Sequence, residues 1–182
     1  MPSFTVLERA KHIKVLALDV DGILSDGRLI FSNNGEETKA FDVRDGLGMK
    51  LVQECGVKIV IITGRMSNIV KQRMDSLGVD LVIQGREDKG IALAEACQQL
   101  GIQPIDCAYM GDDWPDLGAL SMAGLAVTVP NGHHEVRRRA HLVTQASGGR
   151  GAVRELCDVI LQAKGAYDQM LNRFLAVRGD MH

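Results

Sequence analysis

Asp19 and Asp21 stand one residue apart at the end of an apolar run, Leu16-Ala17-Leu18, and are followed at once by Gly22. Two ionised carboxylates this close repel unless a positive charge sits between them, and a metal ion is the obvious candidate. Three further polar clusters also follow apolar runs: Thr63-Gly64-Arg65, Asp88-Lys89, and Gly111-Asp112-Asp113 with Asp116. Carboxylates with no histidine or cysteine among them suit Mg²⁺, a hard cation that takes one or two protein carboxylates together with water and phosphate oxygens. A threonine and a lysine beside such an ion are what a transferring phosphoryl group needs. Its charge is spread over equatorial oxygens, and catalysis there is mostly positioning and electrostatic stabilisation. In that chemistry Asp19 is the nucleophile that takes the phosphoryl group as an aspartyl-phosphate. Asp21 is the acid and base, protonating the leaving alkoxide and later deprotonating the attacking water. Gly22 lets the backbone approach the ligand closely.

Elements that could bring these clusters together are legible in the periodicity. Val15 to Leu18, Ile59 to Ile62, Leu81 to Ile83, Cys107 to Met110, Leu125 to Val129 and Leu142 to Val143 are short apolar runs that read as buried strands. Helical patterns alternate with them: Leu47 to Cys55, Ser67 to Leu77, Lys89 to Leu100, Pro115 to Met122, His133 to Arg139 and Gly151 onward. Gly56, Gly78, Gly101 and Gly124 follow four of these, where a helix C-terminus favours glycine. The alternation predicts an α/β fold with a doubly wound, Rossmann-like parallel sheet, in which ligands bind beyond the carboxyl ends of the strands. Winding the strands into one sheet carries all four polar clusters to the same edge. One segment breaks the alternation: residues 27–43 contain two extended runs around Asn33-Asn34-Gly35 and predict a β-hairpin flap after the first strand. Its apolar residues Leu29, Ile30, Phe31 and Phe41 need a partner surface, either in the same chain or in another subunit.

The 182 residues, 46% hydrophobic and 24% charged, predict one domain over 1–182, with a C-terminal helix and tail from about 151. A net charge of −2 provides no basic stripe for nucleic acid. The four cysteines form no CxxC pair, which argues against a zinc site or disulfide framework and for a reducing cytoplasm. Without a long apolar segment, neither secretion nor membrane spanning is expected.

Taken in order across residues 19–116, the four clusters resemble those of the haloacid dehalogenase superfamily of phosphohydrolases. The resemblance implies Asp19 as nucleophile, Asp21 as acid and base, Thr63 and Lys89 as phosphate-binding groups, and Asp112 as a metal carboxylate. Asp19 and the backbone carbonyl of Asp21 would complete the Mg²⁺ ligands. For Asp113 and Asp116, bracing of the site and capping of the following helix both remain open. Members of the superfamily usually carry a cap domain after the first or second motif. Here the spans from Asp21 to Thr63 and from Thr63 to Lys89 are too short for one.

Longer runs, Phe41 to Gly48, Gly111 to Asp113 and Ser147 to Glu155, resemble the capless 3-deoxy-D-manno-octulosonate 8-phosphate phosphatases over about residues 12–163. That subgroup implies a homotetramer whose hairpin flaps meet and whose active sites are completed by a neighbouring subunit. It also implies a small sugar-acid phosphate as substrate, in lipopolysaccharide precursor synthesis. The substrate's carboxylate would give Arg44, Arg65 and Arg150 a role, since a guanidinium binds carboxylate or phosphate in bidentate fashion. Alternatives are a superfamily phosphatase for another phosphosugar or a phosphoprotein, a phospho-accepting receiver domain, and a non-catalytic relative. In a receiver the later strand ends in a lone phosphorylated aspartate, whereas here it ends in Thr63-Gly64-Arg65. The complete set of catalytic residue types argues against a non-catalytic module. Beyond Ala163, Tyr167, Met170 and Phe174 prolong the apolar face of the last helix, with a break possible at Gly165. Trp114 reads as a packing residue, with a place at the rim of the site as the alternative.

Overall fold

The computed structural model describes residues 2–176. A first helix, α1 (Phe4–Lys11), leads into β1 (Val15–Leu18), and two very short strands, β2 (Ile30–Phe31) and β3 (Glu37–Thr38), form the flap. There follow α2 (Val43–Glu54), β4 (Lys58–Thr63), α3 (Asn68–Leu77), β5 (Leu81–Gln84), α4 (Lys89–Leu100) and β6 (Cys107–Met110). The remainder is α5 (Leu117–Met122), β7 (Leu125–Thr128), α6 (His134–Arg139), β8 (Leu142–Val143), α7 (Ala152–Ala163) and α8 (Tyr167–Ala176). Six strands make one sheet in the order β5-β4-β1-β6-β7-β8, every pairing parallel. No cap domain interrupts the described residues.

A buried parallel strand must satisfy two apolar layers, and the residues of this sheet sort themselves by the two-residue period of the pleat. Leu16 and Leu18, Ile59 and Ile61, Ala108 and Met110, and Leu125 and Val127 face one core with α1, α2, α3 and α7. Their neighbours Val15 and Ala17, Val60 and Ile62, Cys107 and Tyr109, and Ala126 face the other with α4, α5 and α6. This is the doubly wound sheet expected from the alternation. The chain leaves β1 toward β4 and β5 on one side, then returns to build β6, β7 and β8 on the other. The carboxyl ends of β1 and β6 therefore flank the point where the winding reverses, and a crevice opens there.

Several boundaries differ from the expected ones. α1 carries no long apolar stripe; only Val6 and Ala10 are buried, and the Ser3 hydroxyl caps its start. α2 begins at Val43 rather than Leu47, because Asp42 caps it by accepting from the Arg44 amide. Its glycines conceal the first turn from a propensity reading, yet packing on α7 explains one of them: a Cβ on Gly48 would stand 3.0 Å from Cys157 Cβ and 3.2 Å from Arg154 Cα. Gly56, Gly78 and Gly101 adopt left-handed backbone at or just past a helix end, as expected. Gly124 does not; the turn there is close to Ile105, whose carbonyl oxygen would lie 1.8 Å from a Cβ. The helical pattern after Gly151 is two helices, broken at Gly165 with φ +69°. The last residues of the expected tail, from 177 on, lie outside the described residues.

In the flap each strand contributes two residues, Ile30 opposite Thr38 and Phe31 opposite Glu37. Phe41 packs against the core, while Leu29, Ile30 and Phe31 are about half exposed. The base of the flap thus finds its partner surface within the chain, while the apolar residues of the tip stay half exposed.

Candidate active site

Asp19 emerges from β1 with its amide donating to the Met110 carbonyl at 3.0 Å, which fixes it beside the end of β6. The chain then turns tightly, with the Ile23, Leu24 and Ser25 amides all donating to the Val20 carbonyl. Gly22 sits in that turn at φ +91°, and a Cβ there would lie 2.1 Å from an Asp112 carboxylate oxygen. The glycine thus serves a side chain from the neighbouring strand end as well as the turn. Lys89, the first residue of α4, reaches under both loops: its Nζ is 2.9 Å from Asp19 Oδ1 and 2.7 Å from Asp116 Oδ1.

Asp116 is almost wholly buried and fully engaged. Oδ1 accepts from Lys89 and from the Tyr109 hydroxyl at 2.7 Å, and Oδ2 accepts from the Asp112 and Asp113 amides at 3.0 and 3.1 Å. With its lone pairs occupied, it braces the site and caps the turn at once, so the two roles left open by the sequence are both filled. Asp113 turns to the Trp114 amide at 2.8 Å and acts as a cap. Trp114 is not a packing residue: it is 62% exposed, and its indole N–H donates to His133 Nδ1.

Carboxylate oxygens of Asp19, Asp112 and Asp116 converge within 4.8 Å of one another. Burial first, then the Asp116 charge, push both Asp19 and Asp112 up to about 7, against the lowering influence of Lys89. Burial opposes the charge on Lys89, but Asp19 and Asp116 more than offset it and hold the ammonium above its usual range. Three carboxylates around a single ammonium leave an excess of negative charge that one divalent cation would neutralise. The donors are all oxygens, and no described side chain donates to the Asp112 carboxylate. The set fits a hard ion such as Mg²⁺, with Asp19 and Asp112 as the side chains free to hold it.

The haloacid dehalogenase-like hydrolase model matches residues 82–156. Across 167 residues the chain is 44% identical to the 3-deoxy-D-manno-octulosonate 8-phosphate phosphatase KdsC of Escherichia coli K12, covering 92% of this chain and 89% of that relative. The chain belongs to this phosphatase family. Among solved structures of such phosphatases, the one from Moraxella catarrhalis, in complex with magnesium ion, phosphate ion and KDO molecule, is 47% identical. It superposes with a TM-score of 0.92 over 93% of this chain and 97% of that one. The cobalt-bound enzyme of Haemophilus influenzae is 37% identical, with a TM-score of 0.85 over 87% and 93% of the two chains.

Within this phosphatase fold, five of the expected residues, Asp19, Asp21, Thr63, Arg65 and Lys89, line a cleft of about 190 Å³ with Glu87 and Pro115 at its sides, while Asp112 meets Asp19 in the acidic cluster and does not line it. Thr63 is buried at the end of β4. The Asp21 carboxylate is not among the converging oxygens and is paired with Lys39 of the flap, which leaves its backbone carbonyl as the group that could face a metal. Arg44 and Arg150 do not line this cleft. Arg44 is paired with Asp42 at 2.6 Å and donates to the Arg150 carbonyl at 3.0 Å. The loop that carries Arg150 nevertheless abuts the site, for the Gly149 amide donates to the Ile23 carbonyl at 2.8 Å.

Two participants escaped the sequence reading. Tyr109 was absorbed into an apolar strand, although a buried tyrosine hydroxyl requires a partner and so carries a signal. Lys39 gave no signal. It is one lysine in a hairpin, and only the way the flap folds back brings it 2.5 Å from Asp21 Oδ1.

Proposed function

We propose that this chain is a magnesium-dependent phosphomonoesterase that cleaves 3-deoxy-D-manno-octulosonate 8-phosphate into the free sugar acid and inorganic phosphate. The observation that carries the reading is the convergence of Asp19, Asp112 and Lys89 where the sheet winding reverses, in a chain so similar to phosphatases named for that substrate. Asp19 and Asp112, with the Asp21 backbone carbonyl, would hold the magnesium ion, whose charge offsets that of the phosphoryl oxygens. Lys89 holds Asp19 Oδ1 and so orients the carboxylate for attack, while its ammonium and the Thr63 hydroxyl face the phosphoryl group. An Asp19 oxygen bonds to phosphorus as the bond to the sugar oxygen breaks, and Asp21 gives that oxygen its proton. Asp21, then a carboxylate, takes a proton from the water that attacks the phosphoaspartate; phosphate leaves and Asp19 is restored.

Arg65, at the cleft wall, would meet the sugar acid's carboxylate, and Arg44 at the start of α2 and Arg150 in the loop before α7, which touch each other, are further candidates for it. The half-exposed tip of the flap supports a homotetramer in which a neighbouring subunit covers each cleft. Residues 1–182 would then act as one domain per subunit. Four free cysteines, two of them with sulfurs 3.3 Å apart, favour a cytoplasmic setting. Among the described residues no helix is long and apolar enough to cross a membrane.

A phosphate-release assay over phosphorylated sugars and sugar acids, with magnesium or chelator, tests this reading. The sugar-acid phosphate should be the preferred substrate, and chelation or Asp19→Asn should each lower turnover by about a thousandfold or more. Turnover that survived either treatment would refute the mechanism.

A further inference from the structure

A second charged group lies beside the acidic cluster and is separate from it. The Lys39 ammonium stands 2.5 Å from Asp21 Oδ1 and 3.1 Å from Glu37 Oε1. Arg65 stands 3.1 Å from the same Glu37 oxygen through Nη2 and 3.7 Å from Asp21 Oδ2 through Nε. Two cations and two carboxylates alternate around this ring, drawn from the loop after β1, the returning arm of the flap and the loop after β4. Unlike the neighbouring cluster, it carries no excess of charge and needs no metal. The Lys39 side chain is only 1% exposed, although it belongs to a two-stranded flap whose tip is open to solvent. Burying an ammonium so completely, and freezing four rotatable bonds, is unfavourable unless the partners are well placed. Lys39 and Arg65 together hold the Glu37 carboxyl below its ordinary range.

We infer that Lys39 is a positioning residue for the acid step. It occupies Asp21 Oδ1 and so leaves Oδ2 as the oxygen that carries the proton to the leaving group. The inference rests on the reading of Asp21 as the general acid. Ser25 Oγ also approaches Oδ1, at 3.5 Å, whereas Arg65 is too far from Oδ2 for a hydrogen bond. An ammonium on Oδ1 excludes a proton from that oxygen, because the nitrogen offers only donors. When Oδ2 gives up its proton, the carboxylate that forms is already paired. Glu37, itself paired with Arg65, holds the ammonium in place, so the flap must be folded down for Asp21 to be set.

Leaving groups of different basicity separate this role from a merely structural one. A sugar alkoxide cannot leave without a proton, whereas p-nitrophenolate can. Lys39→Met should lower the single-turnover rate of leaving-group release from 3-deoxy-D-manno-octulosonate 8-phosphate by about a hundredfold, and from p-nitrophenyl phosphate by less than about fivefold, since hydrolysis of the phosphoaspartate is common to both. Lys39→Arg should restore most of the loss, and Glu37→Gln, which loosens the ammonium without removing it, should show the same selectivity in weaker form. Melting curves identify any variant that does not fold, and the Arg and Gln variants then decide by the same ratio of the two esters. Equal losses on both esters, or none on either, would overturn the assignment. If the unsubstituted protein released phosphate from neither ester, the phosphatase reading would fail and the assignment with it.

Discussion

Gly22 illustrates how narrowly single atoms are set in this site. Its missing side chain leaves the space into which the Asp112 carboxylate reaches, and its φ of +91° is unfavourable for any residue with a Cβ. Gly22→Ala should therefore weaken magnesium binding by about tenfold or more, since displacing a hard oxygen ligand disturbs a geometry that magnesium enforces strictly. Titration calorimetry with the ion alone would show it, and unchanged affinity would mean that Asp112 can hold the ion from a different position. Asp19, Asp21, Thr63, Lys89 and Asp112 were legible in the sequence because each interrupts or follows an apolar run. Charge at the end of a buried strand is costly enough to need a reason. Asp116 was ambiguous because each of its oxygens has its own task, one toward Lys89 and Tyr109 and one toward the backbone of the turn. Lys39 was illegible because nothing local distinguishes it; its partner is eighteen positions away across a fold-back.

Among the elements, α2 and α7 are joined by a cap that neither could supply alone. Gly151, at the start of α7, has no side chain to offer, and Asp45 from α2 takes its place by accepting from the Arg154 amide at 2.8 Å. Asp45 is buried, and its second oxygen has no hydrogen-bond partner among the described residues. Burial pushes its pKa up to about 6 despite the Arg154 amide, and the Asp42 charge adds to the rise. The folded chain thus holds this proton more tightly than the unfolded chain, whose carboxyl titrates near 3.8. The stabilising contribution is complete below pH 4 and is lost as the pH rises through 6. Asp45→Asn keeps an acceptor for the Arg154 amide and cannot ionise. Relative to the parent, it should gain about 2 kcal/mol of stability between pH 4 and pH 7.5, read from urea midpoints. Parallel pH profiles for the two proteins would exclude Asp45 as the group responsible. The strands were legible at this scale because buried parallel strands are continuous apolar runs. α1 and the first turns of α2 were not, because their sequences are set by a cap and by close helix packing rather than by a repeating stripe.

For the whole molecule, the flap divides its contacts. Its base is held by Phe41 and by the charged ring at Asp21, while its tip presents Leu29, Ile30 and Phe31 to solvent. If these three residues form the subunit contact, Phe31→Glu should convert the assembly to smaller species by sedimentation and raise the KM for the sugar-acid phosphate. An unaltered sedimentation profile would place the contact elsewhere. The position of β1 in the sheet has another outcome, which concerns the order in which the chain is made. Val15 pairs with Lys58 on one side and with Cys107 on the other, so of the two neighbours of the strand that leads into Asp19 one, β4, is made early and the other, β6, only in the second half of synthesis. Until Met110 has left the ribosome, β1 has one bare, apolar edge, the kind of surface on which unfinished chains adhere to one another. The protein is therefore most exposed to aggregation during translation, before Asp112 and Asp116 can join Asp19 and Lys89.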